Sequence, residues 1–225
     1  IHLRSFAQLA LDKTERVIGQ VDLARSAAEK YHGQVCSPEH RSYMLNIIRG
    51  SLYVADLIYA RGEQFLCSTA FYPTQSYAIS PPEYKKKPAI SIYYYRDTPF
   101  YPGYKMVYMQ KGNYVAVVNP LSYSEVMSDD STLAYGIYDT VTGLFFSVSD
   151  QADLQTLDKL VRKNDLTFQE NGRFYTIDHS DKRPIAIIVS TSSDTYFQYL
   201  YHQATLTLPL GMICSIIILL MWSRP

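Results

Sequence analysis

Between His202 and Arg224 the chain carries no charged side chain, and the stretch from Ala204 to Trp222 is almost wholly apolar. At ~1.5 Å of rise per residue, a helix over these 19 residues would cross roughly 28 Å, close to the hydrocarbon thickness of a bilayer. Residues 204–222 are therefore expected to span a membrane, with Tyr201 and Trp222 near the two interfaces and Pro209 tolerated within the helix. Arg224, the cationic residue just beyond the span, assigns 223–225 to the cytoplasmic side and 1–203 to the outside. The chain opens on Ile1 and stops at Pro225, so it reads as a piece of a larger protein. A second span before Ile1 and a cytoplasmic part after Pro225 are expected.

The residues outside the span are enough for one domain with a sizeable core. The 21 basic residues balance the 21 acidic ones, and the one basic run, Lys85-Lys86-Lys87, sits in a proline-rich stretch that reads as a solvated turn. That balance excludes a nucleic-acid footprint. With 21 tyrosines against 9 phenylalanines, the strands are rich in rings that are apolar along their length and polar at the tip, which suits half-exposed sheet faces and ligand pockets alike.

From His2 to Tyr31 there is no proline, and apolar residues recur at Leu3, Phe6, Ala10, Val17, Val21, Ala24, Ala28 and Tyr31. This is one stripe of a long helix, interrupted at Lys13 and Thr14, and it would suit lengthwise packing on a partner helix or on the domain's own sheet. Ser37-Pro38-Glu39 then supplies an N-cap, a proline at the first helical position and an acid in the first turn, which predicts a second helix to about Arg49. Beyond it the pattern is of strands: 51–60 and 64–71 around the turn at Arg61-Gly62-Glu63, then 89–95, 104–110, 114–119, 133–138, 144–148, 166–169, 174–177 and 185–190. Gly112-Asn113, Thr142-Gly143 and Asn171-Gly172 are turn signals between neighbours, so most connections are antiparallel. Leu154, Leu157, Leu160 and Val161 predict a helix within 151–163, and a last helix is expected from about Asp194 into the span. No internal repeat is evident. The fold class is α+β: a long N-terminal helix, an antiparallel sheet and a C-terminal transmembrane helix, an arrangement analogous to PAS-like or Cache-like sensor domains.

Cys36 and Cys67 are the cysteines outside the span; Cys214 lies within it and reads as packing. In an oxidising compartment the outer pair admits three readings: a structural disulfide, a disulfide whose opening carries a signal, or free thiols and a metal site. For a metal, Cys36 and His40 stand four apart with Cys67 as a third ligand, short of the four of a closed zinc site. A bridge would close a loop of about 30 residues, a constraint of roughly 3–4 kcal/mol on the unfolded chain.

Cys36-Ser37-x-x-His40, followed by Cys67-Ser68-Thr69 in a hairpin, resembles the CSS-motif sensor domain of bacterial membrane proteins that carry a cytoplasmic EAL phosphodiesterase domain. That family is named for a Cys-Ser-Ser tripeptide, from which this sequence departs at Thr69. The resemblance covers most of 1–194, and the expected span falls where the family has its second transmembrane helix. It implies a periplasmic domain over 1–203 held at the inner membrane, and a Cys36–Cys67 disulfide that keeps output low when oxidised. It also implies periplasmic thiol oxidation and reduction proteins as partners, and a cytoplasmic EAL domain that linearises cyclic di-GMP with a divalent metal, magnesium. None of that enzyme lies in these residues: there is no Glu-Ala-Leu motif, no carboxylate cluster of the metal-site kind, and His2, His32, His40, His179 and His202 are scattered. The chain itself is expected to hold no catalytic residue, no cofactor and no resident metal. A homodimer through the first helix or the span is a further expected partner.

Two other function classes stay open. Tyr94, Arg96 and Tyr101, within a tyrosine-rich stretch that ends in a Pro/Gly loop, are candidates for a small-molecule site of a sensor without redox chemistry. The third class is a partner-binding ectodomain with an inert bridge.

Overall fold

The structure, a computed structural model, describes residues 3–70, 76–79, 82, 84–86, 90–98, 101–124, 132–149, 152, 154–161, 167–205 and 207. Helix α1 (Leu3–Ala28) precedes α2 (Pro38–Arg49), as the sequence pattern requires. Strands β1 (Val54–Arg61) and β2 (Gln64–Ser68) form the first hairpin, followed by β3 (Tyr77–Ala78), β4 (Tyr84–Lys86), β5 (Ile90–Thr98), β6 (Tyr101–Lys111) and β7 (Tyr114–Val118). After the short α3 (Leu121–Ser124) come β8 (Leu133–Asp139), β9 (Leu144–Val148), α4 (Leu154–Leu160), β10 (Thr167–Glu170), β11 (Arg173–His179) and β12 (Ile185–Ser192). Residues 193–205 are helical.

The strands form two sheets where the sequence reading expects one. The first runs β3-β2-β1-β7-β6-β5-β4 and the second β10-β11-β12-β8-β9, every pair antiparallel. Leaving aside the short edge strands β3 and β4, the first sheet reads β2-β1-β7-β6-β5 and the second, from its far edge, β9-β8-β12-β11-β10. Numbered within each sheet, both are 2-1-5-4-3. The fold is thus a tandem repeat of one sheet topology, although no sequence repeat marks it. Register and pairing arise from contacts remote in sequence, which a scan of local periodicity does not register.

Helix α1 joins the two halves. Its 26 residues extend roughly 39 Å, enough to lie along both sheets. It packs on β11 and β12 of the second sheet and on β1 and β7 of the first. Leu3, Ala7, Ala10, Val17, Val21, Ala24 and Ala28 enter one contiguous core with Leu57, Tyr59, Val107 and Ala116 from one sheet and Ile137, Ile185 and Ile187 from the other. The apolar stripe is therefore covered by the chain's own sheets, and no partner helix is needed to bury it. Its interruption is also accommodated: the buried Thr14 hydroxyl donates to the Ala10 carbonyl at 2.9 Å, and the Lys13 ammonium lies 4.4 Å from the Tyr53 ring centroid.

Two local expectations are corrected, and one short helix is added. Tyr84–Lys86 is an edge strand, β4, paired with β5, so Lys85 and Lys86 belong to a strand and not to a turn. Strand β6 begins at Tyr101, inside the stretch read as a Pro/Gly loop, with Gly103 at φ +80°. Leu121–Ser124 forms a short helix that has no periodic signal to predict it. The Asn171-Gly172 turn is as expected, both residues having positive φ (50° and 73°), the signature of a type I′ hairpin. Among the described residues no helix is long and apolar enough to cross a membrane. The expected span at 204–222 lies almost entirely outside them.

Candidate redox site

The site forms where α2 meets the β1–β2 hairpin. Ser37 caps α2: its backbone is extended, its Oγ accepts from the His40 N–H at 3.2 Å, and Pro38 and Glu39 fill the first turn. Cys36, immediately before the cap, is held at φ +60°, a left-handed conformation that non-glycine residues seldom adopt. Cys67 approaches from β2. A register shift between Tyr59 and Ala60 sets Tyr59 opposite Cys67 and Ala60 opposite Phe65. Residues 65 and 67 would share a face of a regular strand; the shift leaves Phe65 on the far face and turns Cys67 toward the helices. Cys36 and Cys67 are joined there by a disulfide, with their Cα atoms 5.7 Å apart.

His40 lies beside the bridge and is fully buried. Its Nδ1 accepts from the Cys36 backbone N–H at 2.9 Å, and its Nε2 is 2.9 Å from the Tyr114 hydroxyl. The ring stacks on Tyr31 (centroids 4.5 Å apart) and meets Tyr59 and Tyr114 edge-on. Burial holds the imidazole below its ordinary pKa, favouring the neutral form, and pushes the Tyr114 phenol up to about 12. Cys36, Cys67 and His40 place their ligand-type atoms within 4.8 Å of one another.

On the other side of Cys67 the hydroxyls of Ser68 and Thr69 serve one buried carboxylate. Asp56 Oδ1 accepts from the Thr69 N–H at 2.9 Å, from the Thr69 hydroxyl and from the Ala70 N–H at 3.4 Å; Ser68 also bonds to this side chain. The Ser68 carbonyl accepts from Arg41 Nε of α2 at 3.0 Å. Burial nonetheless raises the Asp56 pKa, outweighing these bonds. Its Oδ2 has no hydrogen-bond partner among the described residues. The tripeptide is thus two-faced: Cys67 points to the helices, while Ser68 and Thr69 anchor Asp56 in the far face of the first sheet. A threonine supplies the same hydroxyl as the serine of the family motif, so the departure at Thr69 keeps the contact.

The chain matches the family described as "CSS motif domain associated with EAL" over residues 1–204. It belongs to that family. The CSS-motif domain is similar in fold to the ligand-binding domain of the Pseudomonas aeruginosa PAO1 amino acid chemoreceptor PctB, solved with L-Arg (TM-score 0.58, 10% identity, 96% of this chain and 98% of that one). It is similar also to the extracellular domain of rpHK1S-Z16, assigned as a histidine kinase (TM-score 0.58, 10% identity, 87% and 93% covered). A third likeness is the ligand-binding domain of the Campylobacter jejuni chemoreceptor Tlp3, solved with L-norvaline (TM-score 0.50, 9% identity, 85% and 90% covered). At such identities the likeness is of fold alone.

The structure therefore brings Cys36, Ser37, His40, Cys67, Ser68 and Thr69 into one constellation. Of the ligand candidates, Tyr101 belongs to the far-face cluster with Met106 and Tyr108, and Arg96, paired with Met106 across the β5–β6 ladder, faces the same way. The Tyr94 side chain lies outside the described residues. Burial, then the Asp56 charge, holds the Tyr101 phenol well above its usual range. Sequence reasoning passed over Asp56 and Tyr114. Asp56 does carry a signal, as the one acid inside the otherwise apolar strand sequence SLYVADLIYA, where an inward carboxylate needs a reason. Tyr114 is one of 21 tyrosines and carries none.

Proposed function

We propose that this CSS-motif domain is a redox-responsive sensor region on the periplasmic side of the bacterial inner membrane, regulating a cytoplasmic EAL cyclic di-GMP phosphodiesterase. The observation that carries the reading is the placement of the bridge. It ties the residue just before the cap of α2, eight residues after the end of α1, to a strand of the first sheet, and it holds Cys36 in a left-handed conformation. Opening it would release the α1–α2 connection from the sheet while leaving the core under α1 in place. A periplasmic dithiol would supply two electrons and two protons to the sulfurs and leave as a disulfide. The metal-assisted chemistry, with magnesium as the expected ion, belongs to the EAL domain and not to these residues.

The test is the midpoint potential of the pair, read by alkylation in dithiol buffers of stepped potential, alongside phosphodiesterase activity of the full-length protein. A midpoint near about −200 mV with activity rising on reduction supports the switch; one below about −300 mV makes the bridge a structural staple.

A second reading rests on Asp56. The Tyr101 hydroxyl bonds this carboxylate, yet its Oδ2 is buried without a hydrogen-bond partner among the described residues, on the sheet face that also carries Arg96, which offers a small ligand with a cationic group a place to bind. PctB and Tlp3 were solved with amino acids, which makes free amino acids the first class to try. A saturable thermal shift that Asp56→Asn abolishes would support it, and the absence of any shift across that class would count against it.

A further inference from the structure

Cys36, Cys67 and His40 form a ligand set of two sulfurs and one imidazole nitrogen, all within 4.8 Å. While the bridge is closed the sulfurs carry no negative charge to offer a cation. Reduced, they become thiols that a soft cation can deprotonate. We infer that the reduced form of this site binds one thiophilic divalent cation of the zinc type, through Cys36 Sγ, Cys67 Sγ and His40 Nδ1. The inference rests on the redox reading above, because it concerns the open bridge.

Geometry and charge both favour it. Zinc–sulfur bonds of ~2.3 Å and zinc–nitrogen bonds of ~2.0 Å in a tetrahedron set ligand atoms roughly 3.5–3.8 Å apart; the three ligand atoms already lie within 4.8 Å of one another, and the two sulfurs, bonded while the bridge is closed, part to that spacing once it opens. The imidazole is oriented in advance. Tyr114 holds Nε2 at 2.9 Å and Tyr31 stacks on the ring, so the supporting contact falls on the nitrogen that does not ligate. Nδ1 is unprotonated, since it accepts from the Cys36 N–H, and a left-handed Cys36 freed from its bridge can relax and withdraw that donor. Two thiolates, one neutral imidazole and one divalent cation sum to zero charge, which suits a site where His40 and Cys67 are buried; a monovalent cation would leave a net negative charge there. Among the described residues no other His, Cys, Asp or Glu joins the group, so the fourth position goes to water at the half-buried Cys36. The balance is simple. The dithiol reductant gives two electrons and two protons to the sulfurs, and the cation then displaces those two protons to solvent.

The experiment titrates Zn2+, and Co2+ as a spectroscopic probe, into the chain before and after reduction. One ion per chain, with thiolate-to-cobalt charge transfer in the reduced protein and none in the oxidised, is expected. His40→Gln should weaken binding by more than the roughly 10–100-fold that loss of a supporting partner costs. In case that variant folds poorly, the ring-nitrogen resonance of His40 in the reduced wild type should move on adding Zn2+. Equal affinity in His40→Gln, or an unmoved resonance while thiols bind, overturns the inference. A bridge that a dithiol opens in the folded protein but that then binds no ion overturns it and leaves the redox reading intact. A bridge that opens only on unfolding removes both.

Discussion

The Cys36 backbone N–H donates to His40 Nδ1 at 2.9 Å, so the imidazole carries its one proton on Nε2 and gives it to the Tyr114 hydroxyl. Protonating Nδ1 would set two donors against each other at the turn that holds the disulfide.

A pH dependence follows. The folded pKa of His40 lies below the unfolded value of 6.5, because burial penalises the cation. Above that value both states are neutral and the contribution is whole. As pH falls below it the unfolded chain binds a proton that the folded site refuses, so stability is lost until the folded pKa is passed. Urea midpoints should fall between about pH 7.5 and about pH 5.5 in the wild type and fall less in His40→Gln, which keeps an acceptor for the Cys36 N–H. The same slope in both proteins would mean that the ring titrates freely.

Replacing both cysteines by serine opens a loop of 31-residue separation and should cost about 3–4 kcal/mol, read from denaturant midpoints. Reducing the wild type should give a similar loss. With the bridge gone, position 36 is free to leave φ +60°, so a double variant that carries Cys36→Gly instead of Cys36→Ser should gain less than about 0.5 kcal/mol. A recovery near about 1 kcal/mol would show that the turn keeps its left-handed conformation without the bridge.

Thr69→Ser keeps the hydroxyl on Asp56 and should change stability by less than about 0.5 kcal/mol, whereas Thr69→Val removes a donor to a buried carboxylate and should cost about 1–3 kcal/mol. Asp56 titrates with the opposite sign to His40. Its folded pKa is raised above the unfolded 3.8, so its contribution is whole below that value and is lost as pH rises toward the folded pKa. Asp56→Asn keeps an acceptor at Oδ1 and should flatten this loss. Comparing the two urea-midpoint profiles from about pH 3 to about pH 7 checks it.

What was legible in the sequence was what is local. The stripe of α1, the Ser37-Pro38-Glu39 start of α2, the Asn171-Gly172 turn and ten of the twelve strands among the described residues all announce themselves within a few residues. The two missed strands, β3 and β4, are short edges without alternation to detect. The division into two sheets was hidden because β1 pairs with β7 and β12 with β8, associations set by burial under α1 and by no local pattern. The site was legible as a motif and opaque as geometry: nothing near Cys67 predicts the register shift that turns it toward Cys36, or the distant Asp56 that gives Ser68 and Thr69 their purpose.

The two halves also meet through charge, and that junction can be tested. Asp22 on α1 bonds Arg25 through Oδ1 and Arg183, in the turn between β11 and β12, through Oδ2 at 2.7 Å. Arg25 is buried and reaches the first sheet, donating to the Met109 carbonyl at 3.2 Å. Asp22 thus links a residue seated on one sheet to a residue of the other. Because the Asp22 side chain is 40% exposed, water screens the pairs, and Asp22→Asn should cost only about 1–2 kcal/mol, chiefly from a buried guanidinium left with a weaker partner. A double-mutant cycle of Asp22→Asn with Arg183→Gln should show a coupling of about 0.5–1 kcal/mol in urea unfolding, with Arg183→Gln alone the milder change. A coupling indistinguishable from zero would mean that the halves are held together by the apolar core under α1 and that this charge bridge is incidental.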